Sequence, residues 1–592
     1  MAEWQSGKVR PEAASSHFAT SPLCHFATSS KGTLLLIVGI TLARLAYLAW
    51  LCPYTLIEDE TNYWEWSRHL SLSYYTKGPG IAWTIAGFVR LLGENEFAVR
   101  AIAAVASGVA AWAVAGLAFD LTRDRRVAWY AAAVFFVMPV FQSLGLITTI
   151  DGPYAACWAV AAWAGWRVLR GSGWALVGLG AVIGVGVLYK YTMLMVVPGL
   201  ALAWWLGRRG KNRSRGEEEW RSMDDGSPLL YSSTPPLLYW LLALAVFAVI
   251  VSPIVVWNHE QGWPTVRHLM GHLGLPGGDQ YVRQGGGQGW TYKPQWTLNY
   301  VGSQLALGGP MLLLALLQRL YTRRARREEP ARWAAVRYCL SLSEPMFVLY
   351  LLVSLVTNPQ GNWAMAAFVT LVPVAAMQVV RLRDGLAGSA ARWTRLAWGA
   401  TLVLGLATGL GMLRIDWLAK VPVVGKYVPV WRVMGADVMA SHAQELAEEL
   451  RAETGREPFV IALHYGRASQ FAFYMPGRPT VFCCSSLLLN GRVSPYDFWP
   501  DTDLRKRGTV GVEASAEYPS LIGRPAVMNG ARFQDWAPLF ERVVEIGKLR
   551  ADGKRDRPAF KGYGFKGFPK GGLRTEGAPP TLDEMLPKGG GK

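Results

Sequence analysis

Cysteine is scarce in this chain, and the few cysteines show no functional spacing. Only 6 of the 592 residues are cysteine, scattered singly except for the neighbours Cys483 and Cys484. Adjacent cysteines can join each other only in a strained disulfide, and no spacing is typical of a metal site. The sequence therefore predicts neither a redox centre nor a structural zinc site.

Acidic residues are in a minority. There are 42 Asp and Glu against 60 Lys and Arg, which gives a formal net charge of +18. Such a charge can indicate nucleic-acid binding. Here the basic residues lie mostly in short loops between apolar stretches, as in a membrane protein, so we expect no nucleic acid among the partners.

A cleavable signal segment is also missing. Residues 1–32 are polar, with no apolar stretch before Thr33 and no small-residue cleavage site. This composition predicts a disordered cytoplasmic leader, followed by an uncleaved first membrane helix.

Long apolar stretches make up most of what remains. Hydrophobic residues form 51% of the chain, and a helix needs about 20 apolar residues, or about 17 at the least, to cross a bilayer. The stretch 174–206 carries Lys190 near its middle, which predicts two short helices meeting there. With them the sequence predicts eleven passes, the other nine being 33–51, 98–119, 127–145, 153–169, 237–257, 298–320, 341–357, 364–380 and 396–413.

The distribution of Lys and Arg predicts the orientation. Alternate loops are rich in both residues, and such loops face the cytoplasm. The intervening loops 52–97 and 258–297, and everything after residue 413, are then extracytoplasmic. The basic-rich loops are 122–126, 167–173, 207–235, 321–337 and 381–395.

The predicted fold is an all-α polytopic membrane protein with a small C-terminal α/β domain. The membrane domain spans 33–413, with its outer loops at 52–97 and 258–297. Helical and strand-like patterns after residue 413 predict an extracytoplasmic α/β domain over 414–550. The Gly-, Lys- and Pro-rich residues 551–592 are predicted to be a disordered basic tail.

Three acids directly follow the first apolar stretch, in the segment IEDETNYWEWSRHL. One interpretation is structural: Glu58 is solvated, Asp59 caps a helix and Glu60 lies in its first turn. The functional interpretation is that these carboxylates belong to a site at the outer face, because charged groups near a bilayer are costly and tend to be functional.

Other charged and aromatic residues are predicted to lie at the same face. Asp151 begins one apolar stretch, Arg100 lies just inside another, and Lys77 follows two tyrosines in SYYTKGPG. Carboxylates and cations between aromatic walls suit a reaction between a charged lipid head group and a polar acceptor. The predicted pocket tyrosines are Tyr63, Tyr74 and Tyr75.

The order of these motifs resembles that of the GT-C glycosyltransferases, membrane enzymes that use polyprenyl-phosphate sugars. The motifs are DE, YYxKxP, GxxEFAVR and TxDxP, supported by SPIVVWNHEQGWPTVRH, GNWAMAAF, RASQFAFYMPGRPTVFC and SPYDFW. Within the class, the chain is similar to lipid A aminoarabinose transferases (family 83) and protein O-mannosyltransferases (family 39), over about residues 33–500. The resemblance implies a multi-pass enzyme of the cytoplasmic membrane with an extracytoplasmic active site.

The resemblance also implies roles for single residues. Asp59 corresponds to the catalytic acid, acting as general base on an acceptor hydroxyl. Glu60 is its partner and Asp151 the second carboxylate. Lys77 would hold the donor phosphate, and Arg100 would be either a second anion contact or a brace for the acidic loop.

Two matters stay open at this stage. Lys190 is either a snorkelling anchor or a further phosphate contact. The sequence also departs from the family where Gly78, Pro79 and Gly80 replace the commoner Pro-Pro or Pro-Val, and in the acidic loop DETNYW. These departures affect the expected donor sugar and pocket shape.

The implied reaction moves a sugar from a polyprenyl-phosphate donor to a hydroxyl or phosphate on a lipid, glycan or protein. Polyprenyl phosphate is a good leaving group, so one base and cations suffice, and direct displacement predicts inversion. No metal or other cofactor is predicted, and a divalent metal is left open. The alternatives are a transporter of lipid-linked or small solutes, which would show inverted repeats, and a glycan-binding scaffold.

Three further signals are interpreted as non-catalytic or accessory. The DTD at 501–503 is interpreted as a turn or cap. His268 and His272, with His259 nearby, lack an evident fourth metal ligand. The Gly-rich stretch 277–290 has no strand before it, which argues against a dinucleotide site. It is predicted to be a mobile outer loop that covers the site.

Overall fold

The computed structural model describes residues 31–211, 235–273, 275, 277–279, 292–422, 424–488, 493–550 and 557–573. Residues 1–30 of the predicted leader lie outside these ranges, as does most of the Gly-rich stretch 277–290. The chain is a mostly helical, multi-pass membrane protein.

The helices are as follows, in chain order. The membrane part contains α1 (Lys31–Trp50), α2 (Glu58–Arg68), α3 (Gly80–Leu92), α4 (Glu96–Thr122), α5 (Arg125–Val137), α6 (Pro139–Ser143), α7 (Asp151–Leu169), α8 (Gly173–Tyr189), α9 (Val196–Lys211), α10 (Leu237–Glu260), α11 (Pro264–His272), α12 (Pro294–Gly308), α13 (Met311–Arg324), α14 (Pro330–Val353), α15 (Ala366–Arg383) and α16 (Gly388–Leu413). The C-terminal part contains α17 (Ile415–Leu418), α18 (Ala436–Thr454), α19 (Tyr465–Tyr474), α20 (Leu504–Arg507) and α21 (Phe533–Trp536).

Helix α4 lies at the centre of the membrane part. Its first turn is capped by Asn95, whose side chain accepts a hydrogen bond from the Ala98 N–H at 2.8 Å. Small residues line its buried face. At Gly116 even a methyl group would lie within 2.5 Å of the Trp163 ring of α7, so the small residues allow close helix packing.

Within the described ranges, six helices are long and apolar enough to cross a membrane: α1, α4, α10, α14, α15 and α16. The pair α12 and α13, bent by 88°, makes a seventh if it is one span. Helices α8 and α9, of 17 and 16 residues, fall at or below the usual minimum length. The predicted count of eleven therefore stays a prediction.

The break predicted at Lys190 is confirmed. Helix α8 ends at Tyr189, Lys190 is extended, and a 3₁₀ turn over Tyr191–Met195 leads into α9. The interruption places the lysine side chain between helices rather than along one helix face.

The C-terminal part contains a five-stranded sheet in the order β2-β1-β3-β5-β4. The strands are β1 (Phe459–Ala462), β2 (Val481–Cys483), β3 (Ala526–Asn529), β4 (Phe540–Lys548) and β5 (Pro558–Phe565). Strands β1, β2 and β3 are parallel, whereas β5 runs antiparallel to both β3 and β4.

The expectation of a disordered tail from residue 551 is wrong for β5. This strand completes the sheet because Phe560 and Gly562 pair with Met528 and Ala526 of β3. The sequence pattern does not indicate β5, because glycines and lysines surround its few buried residues. Residues 551–556 and 574–592 lie outside the described ranges.

One face of the sheet shares a hydrophobic core with the loop 52–97. Val460 and Val527 from the sheet lie in the same cluster as Trp64 and Trp66 of α2, all of them buried. The core on the opposite face lies within the C-terminal part. The C-terminal part therefore packs directly onto the helix that carries the acidic residues.

Candidate active site

The acidic residues form the first turn of α2. Ile57 is the N-cap residue, and the Glu60 carboxylate accepts a hydrogen bond from its N–H at 3.0 Å. Negative charge in a first turn is favoured by the helix dipole. The alternative in which Asp59 caps the helix is therefore wrong, because Ile57 is the N-cap residue and Asp59 lies within the first turn.

Glu60 is held in a buried ion pair with Arg100 of α4. The Arg100 Nη2 lies 2.8 Å from Glu60 Oε2, and Nε lies 3.1 Å from Oε1. Arg100 also donates to the carbonyls of Tyr54 and Thr55, both at 2.8 Å. The Thr148 N–H donates to Glu60 at 2.9 Å. This geometry favours the brace alternative for Arg100.

Asp59 has a different environment from its neighbour. Its side chain is open to water on one side, while the surrounding protein raises its pKa chiefly through burial. Lys77 opposes this shift, as does Arg432 more weakly, whereas Glu58 and Glu60 add to it.

Tyr63 connects Asp59 with Asp151. It lies one turn after Asp59 on α2, and its side chain is buried. Its pKa is raised by burial first, then by the charges of Asp59 and Asp151, then by Tyr465. The two predicted carboxylates therefore lie within electrostatic range of the same buried hydroxyl, although they are far apart in sequence.

Asp151 and Lys190 form an ion pair at the start of α7. Lys190 Nζ lies 2.8 Å from Asp151 Oδ1, and the Asn362 side chain donates to Asp151 Oδ2 at 2.6 Å. The lysine also lies over the Tyr154 ring, 5.3 Å from its centroid. Sequence reasoning missed Asn362, although it lies in the quoted motif GNWAMAAF.

Lys77 lies in a tight turn. Its carbonyl accepts hydrogen bonds from the Tyr74 N–H at 3.1 Å and the Ser73 hydroxyl at 3.3 Å. The next residue, Gly78, is so close to α8 that a Cβ would lie 2.5 Å from the Leu188 carbonyl oxygen. This contact explains the glycine that departs from the family pattern.

The two other predicted pocket tyrosines are buried and hydrogen-bonded. The Tyr74 hydroxyl donates to the Trp66 carbonyl at 2.8 Å and the His69 carbonyl at 3.0 Å. The Tyr75 hydroxyl donates to Asp279. Their hydroxyl groups therefore help to fix the loop between α2 and α3.

Helix α19 of the C-terminal part binds the start of α2. Tyr474 accepts a hydrogen bond from the Leu56 N–H at 2.7 Å, and Gln470 donates to the Leu56 carbonyl at 3.2 Å. Arg467 Nε lies 3.3 Å from a Glu58 oxygen. Glu58 is thus paired rather than only solvated, and the motif RASQFAFY is part of this contact.

The DTD motif has a structural role, as the turn or cap interpretation predicts. The Asp503 side chain accepts a hydrogen bond from the Arg505 N–H at 3.0 Å and so caps α20. Asp501 lies 3.0 Å from His69 Nε2, which joins the C-terminal part to the end of α2. The described part of the chain has no group of three His, Cys, Asp or Glu that could hold a metal.

The fold resembles that of the GT-C class of membrane glycosyltransferases. The chain has the fold of ArnT from Cupriavidus metallidurans in its crystal structure bound to undecaprenyl phosphate, with a TM-score of 0.56 over 90% of this chain and 98% of that one, at 13% identity. The dolichyl-phosphate-mannose-protein mannosyltransferase family matches residues 76–217. The resemblance predicted from the motifs is thus confirmed.

Two curated relatives are similar in sequence. Lipid A galacturonosyltransferase RgtD of Rhizobium johnstonii is 27% identical over 353 residues, which cover 58% of this chain and 64% of that protein. An undecaprenyl phosphate-alpha-4-amino-4-deoxy-L-arabinose arabinosyl transferase of Enterobacter sp. is 29% identical over 238 residues, or 37% and 41% of the two chains. The matches span less than two thirds of the length of either relative.

Proposed function

We propose that this protein is an integral-membrane glycosyltransferase that moves a sugar from a polyprenyl-phosphate donor to a lipid acceptor, with inversion. The observation that carries this proposal is a water-accessible Asp59 on a helix turn that the buried Glu60–Arg100 ion pair fixes, with Lys77 within electrostatic range. A base and an anion-binding cation beside each other are what this transfer requires.

Asp59 acts as the general base. It takes the proton from the acceptor hydroxyl as the hydroxyl oxygen bonds to the anomeric carbon. The bond between that carbon and the donor phosphate oxygen breaks, and the polyprenyl phosphate leaves with the electron pair. A raised pKa brings a carboxylate closer to the working pH, where a general base is most effective.

Lys77 and Lys190 bind the donor phosphate from two sides. Lys77 is fixed by the turn that its carbonyl closes. Lys190 is held by Asp151, so the phosphate would share this ammonium with a carboxylate that is already in place. Asn362 holds the other Asp151 oxygen and keeps the carboxylate oriented.

Glu60 and Arg100 position the base rather than touch substrate. Both side chains are buried, and their charged groups bind each other and nearby backbone. Such a pair fixes the start of α2, on which Asp59 lies. The phosphate-binding alternative for Arg100 is less well supported, because its guanidinium is surrounded by protein acceptors.

The site faces the outside of the cytoplasmic membrane in this proposal. The basic loops at the opposite face support it, as does the position of Asp59 after the first membrane helix. The chain then crosses the membrane eleven times, with α5 to α9 contributing short or broken spans. The sheet-containing C-terminal part, with a boundary near residue 414, lies outside and helps to position the acceptor.

The names of the relatives support the choice of substrates. They name lipid A and undecaprenyl phosphate, so we propose an undecaprenyl-phosphate-type donor and a glycolipid acceptor. Direct displacement by one base requires no metal.

Sugar transfer by the purified full-length protein tests the proposal. The assay combines radiolabelled undecaprenyl-phosphate sugars with glycolipid acceptors in detergent, for the wild type, Asp59→Asn and Lys77→Ala. The exposed Asp437→Asn on α18 is the matched control. We expect label in the acceptor with wild type and control, and its loss with the other two variants.

The opposite outcomes are equally clear. Equal transfer by Asp59→Asn would place the base elsewhere. If no donor is consumed, but the protein in vesicles moves labelled lipid between the leaflets, the transporter alternative replaces the enzyme.

A further inference from the structure

Three arginines lie at the ends of α4 and α7 that are farthest from the candidate active site. Arg123 follows the last residue of α4, whereas Arg167 and Arg170 lie at the end of α7. We call these three residues the arginine cluster. Arg100 and Asp151 lie near the opposite ends of the same two helices, and the helical rise separates Arg100 from Arg123 by about 35 Å. The arginine cluster is therefore not part of the candidate active site.

Asp120 is the acid that the arginine cluster surrounds. Arg167 Nε lies 2.9 Å from Asp120 Oδ2, and Arg123 Nη1 lies 3.5 Å from Oδ1. The next acid in the chain, Asp124, is bound by Arg126 at 2.8 Å. One carboxylate thus serves the whole cluster, and the cluster keeps an excess of positive charge.

The acid does not cancel the repulsion among the arginines. The pKa of Arg170 is lowered by burial first and then by the charge of Arg123. Asp120 opposes this shift, and the charge of Arg167 adds to it. The two like charges together outweigh the single opposite charge, so an anion at this position would be attracted by the cluster as a whole.

One nitrogen of the cluster is buried without a hydrogen bond. Arg167 Nη2 has no hydrogen-bond partner among the residues that the structure describes, while the guanidinium lies over the Trp163 ring, 4.3 Å from its centroid. A buried donor without a partner is unfavourable. An anionic oxygen beside it would accept a charge-assisted hydrogen bond and remove this cost.

Arg123 has a backbone conformation in which arginine is uncommon. It is the C-cap residue of α4 and lies in the left-handed region, with φ 56° and ψ 15°, where glycine is the usual residue. A positive charge near a helix C-terminus is favourable, but an arginine within the last turn would supply it without strain. Its side chain is half exposed, so packing does not explain it either. Strain of this kind points to a function of the side chain.

Aromatic side chains close to the cluster mark the level of the lipid head groups. Trp174, four residues after Arg170, is 72% exposed. Its ring packs against Tyr239 at the start of α10, with the centroids 5.6 Å apart. Trp and Tyr concentrate at the interface between membrane and water. In the proposed orientation this interface is the cytoplasmic one, where anionic lipids give the surface a negative potential.

We propose that the arginine cluster binds the phosphate of an anionic phospholipid. Guanidinium groups from two helices offer forked N–H donors that match phosphate oxygens, and a phospholipid carries its phosphate at the level of the cluster. The bound lipid joins the ends of α4 and α7, the helices that carry Arg100 and Asp151 at the active site. The inference requires the membrane location of the chain but not sugar transfer.

Native mass spectrometry of the full-length protein in neutral detergent measures the binding. Dioleoyl phosphatidylglycerol is compared with dioleoyl phosphatidylcholine, which has the same acyl chains but no net charge. Glycerol phosphate, the free head group, is added as a competitor at the same concentration.

The cluster variant combines Arg123→Asn with Arg170→Gln, since asparagine tolerates left-handed backbone. The matched control combines Arg392→Gln with Arg395→Gln, which removes two exposed charges from α16. These control positions belong to the same end of the membrane part, because α16 follows Asp384, which is paired with Arg126 of α5. Any change in total charge is therefore the same in both proteins.

We expect the wild type and the control to bind phosphatidylglycerol at least about fivefold more tightly than phosphatidylcholine, the contribution of about one arginine near a lipid surface. The cluster variant should lose this preference. Arg170→Gln alone leaves both ion pairs of Asp120 in place, and it should reduce the preference even if the double variant does not fold.

Three results would overturn the proposal. The first is equal binding of the two lipids by the wild type. The second is a preference that the cluster variant and Arg170→Gln retain, or that the control loses to the same extent. The third is full competition by glycerol phosphate, which would identify a site for free anions rather than for a lipid. Because no turnover is measured, these failures are independent of a failure of the proposed glycosyltransferase.

Discussion

The Arg100 guanidinium binds Glu60 through two nitrogens, with Nη2 2.8 Å from Oε2, while Asp59, one residue away, faces water. Two adjacent carboxylates on one helix turn therefore have opposite environments. Glu60 is neutralised and immobile, whereas Asp59 is available to a substrate. In the proposed mechanism the first carboxylate fixes the backbone that aims the second.

Breaking this ion pair should destabilise the protein strongly. Arg100→Met leaves the buried Glu60 charge without its partner, an effect of about 3–5 kcal/mol for buried pairs. Thermal unfolding in detergent measures it. The exposed Arg451, paired with Glu457 at the surface, is the control, and Arg451→Met should change the midpoint little. Similar midpoints for both variants would argue against the brace.

Asp59→Asn should stabilise the protein at neutral pH. The folded-state pKa of Asp59 is raised above its ordinary value of 3.8, so the folded protein holds this proton to a higher pH than the unfolded chain. The resulting contribution to stability is present below about pH 3.8 and is lost as the pH rises through the folded pKa. The charged form is then disfavoured in the folded protein, and asparagine removes that charge.

Unfolding midpoints of the wild type and Asp59→Asn at acid and neutral pH check this sign. The midpoint of the variant should be higher than that of the wild type at neutral pH but not at acid pH. Asp437→Asn is the control. The ionisation of Asp59 should also determine the kinetics, so that kcat/KM rises with pH as this base loses its proton. A variant less stable than the wild type at neutral pH would contradict the assignment.

Gly78→Ala should disturb the Lys77 turn. The added methyl would lie 2.5 Å from the Leu188 carbonyl oxygen, which is backbone of α8 and must therefore shift. We expect a loss of about 1–3 kcal/mol in stability and weaker donor binding. Gly87→Ala, in an exposed part of α3 with no atom within 4 Å, should be neutral or gain about 0.5–1 kcal/mol. Equal effects of the two changes would exclude the proposed contact.

Asp151 and Lys190 should be energetically coupled. A double-mutant cycle with Asp151→Asn and Lys190→Met is expected to give roughly 0.5–3 kcal/mol, as for other contacting residues. The exposed pair of Arg550 and Glu445, 2.9 Å apart in the C-terminal part, should give less than about 1 kcal/mol. If the coupling energy of Asp151 and Lys190 is no larger than that of the exposed control pair, Asp151 does not hold Lys190.

The acidic loop could be identified from sequence because charges next to an apolar stretch are chemically conspicuous. The partners of these charges could not, since Arg100 meets Glu60 across 40 residues and Asn362 meets Asp151 across 211. Such contacts depend on how the helices pack. The break at Lys190 was predictable from the length of its apolar stretch.

The C-terminal part was less predictable. Strand β5 is stabilised by pairing with β3 and β4 rather than by its own composition. The structural interpretation, in which Asp59 caps α2, is wrong because the N-cap residue is Ile57, which no local capping pattern indicates. Only the backbone geometry at Ile57 identifies it.

The contact of α19 with Leu56 restricts how this protein can be recombined with others. Gln470 and Tyr474 bind both backbone polar groups of Leu56, just before the acidic helix, and Trp64 packs against Phe473 at 4.9 Å. A chimera that exchanges the C-terminal part alone would pair α2 with a foreign surface. The natural unit of exchange therefore combines the loop 52–97 with the C-terminal part, although residues 98–413 separate them in the chain.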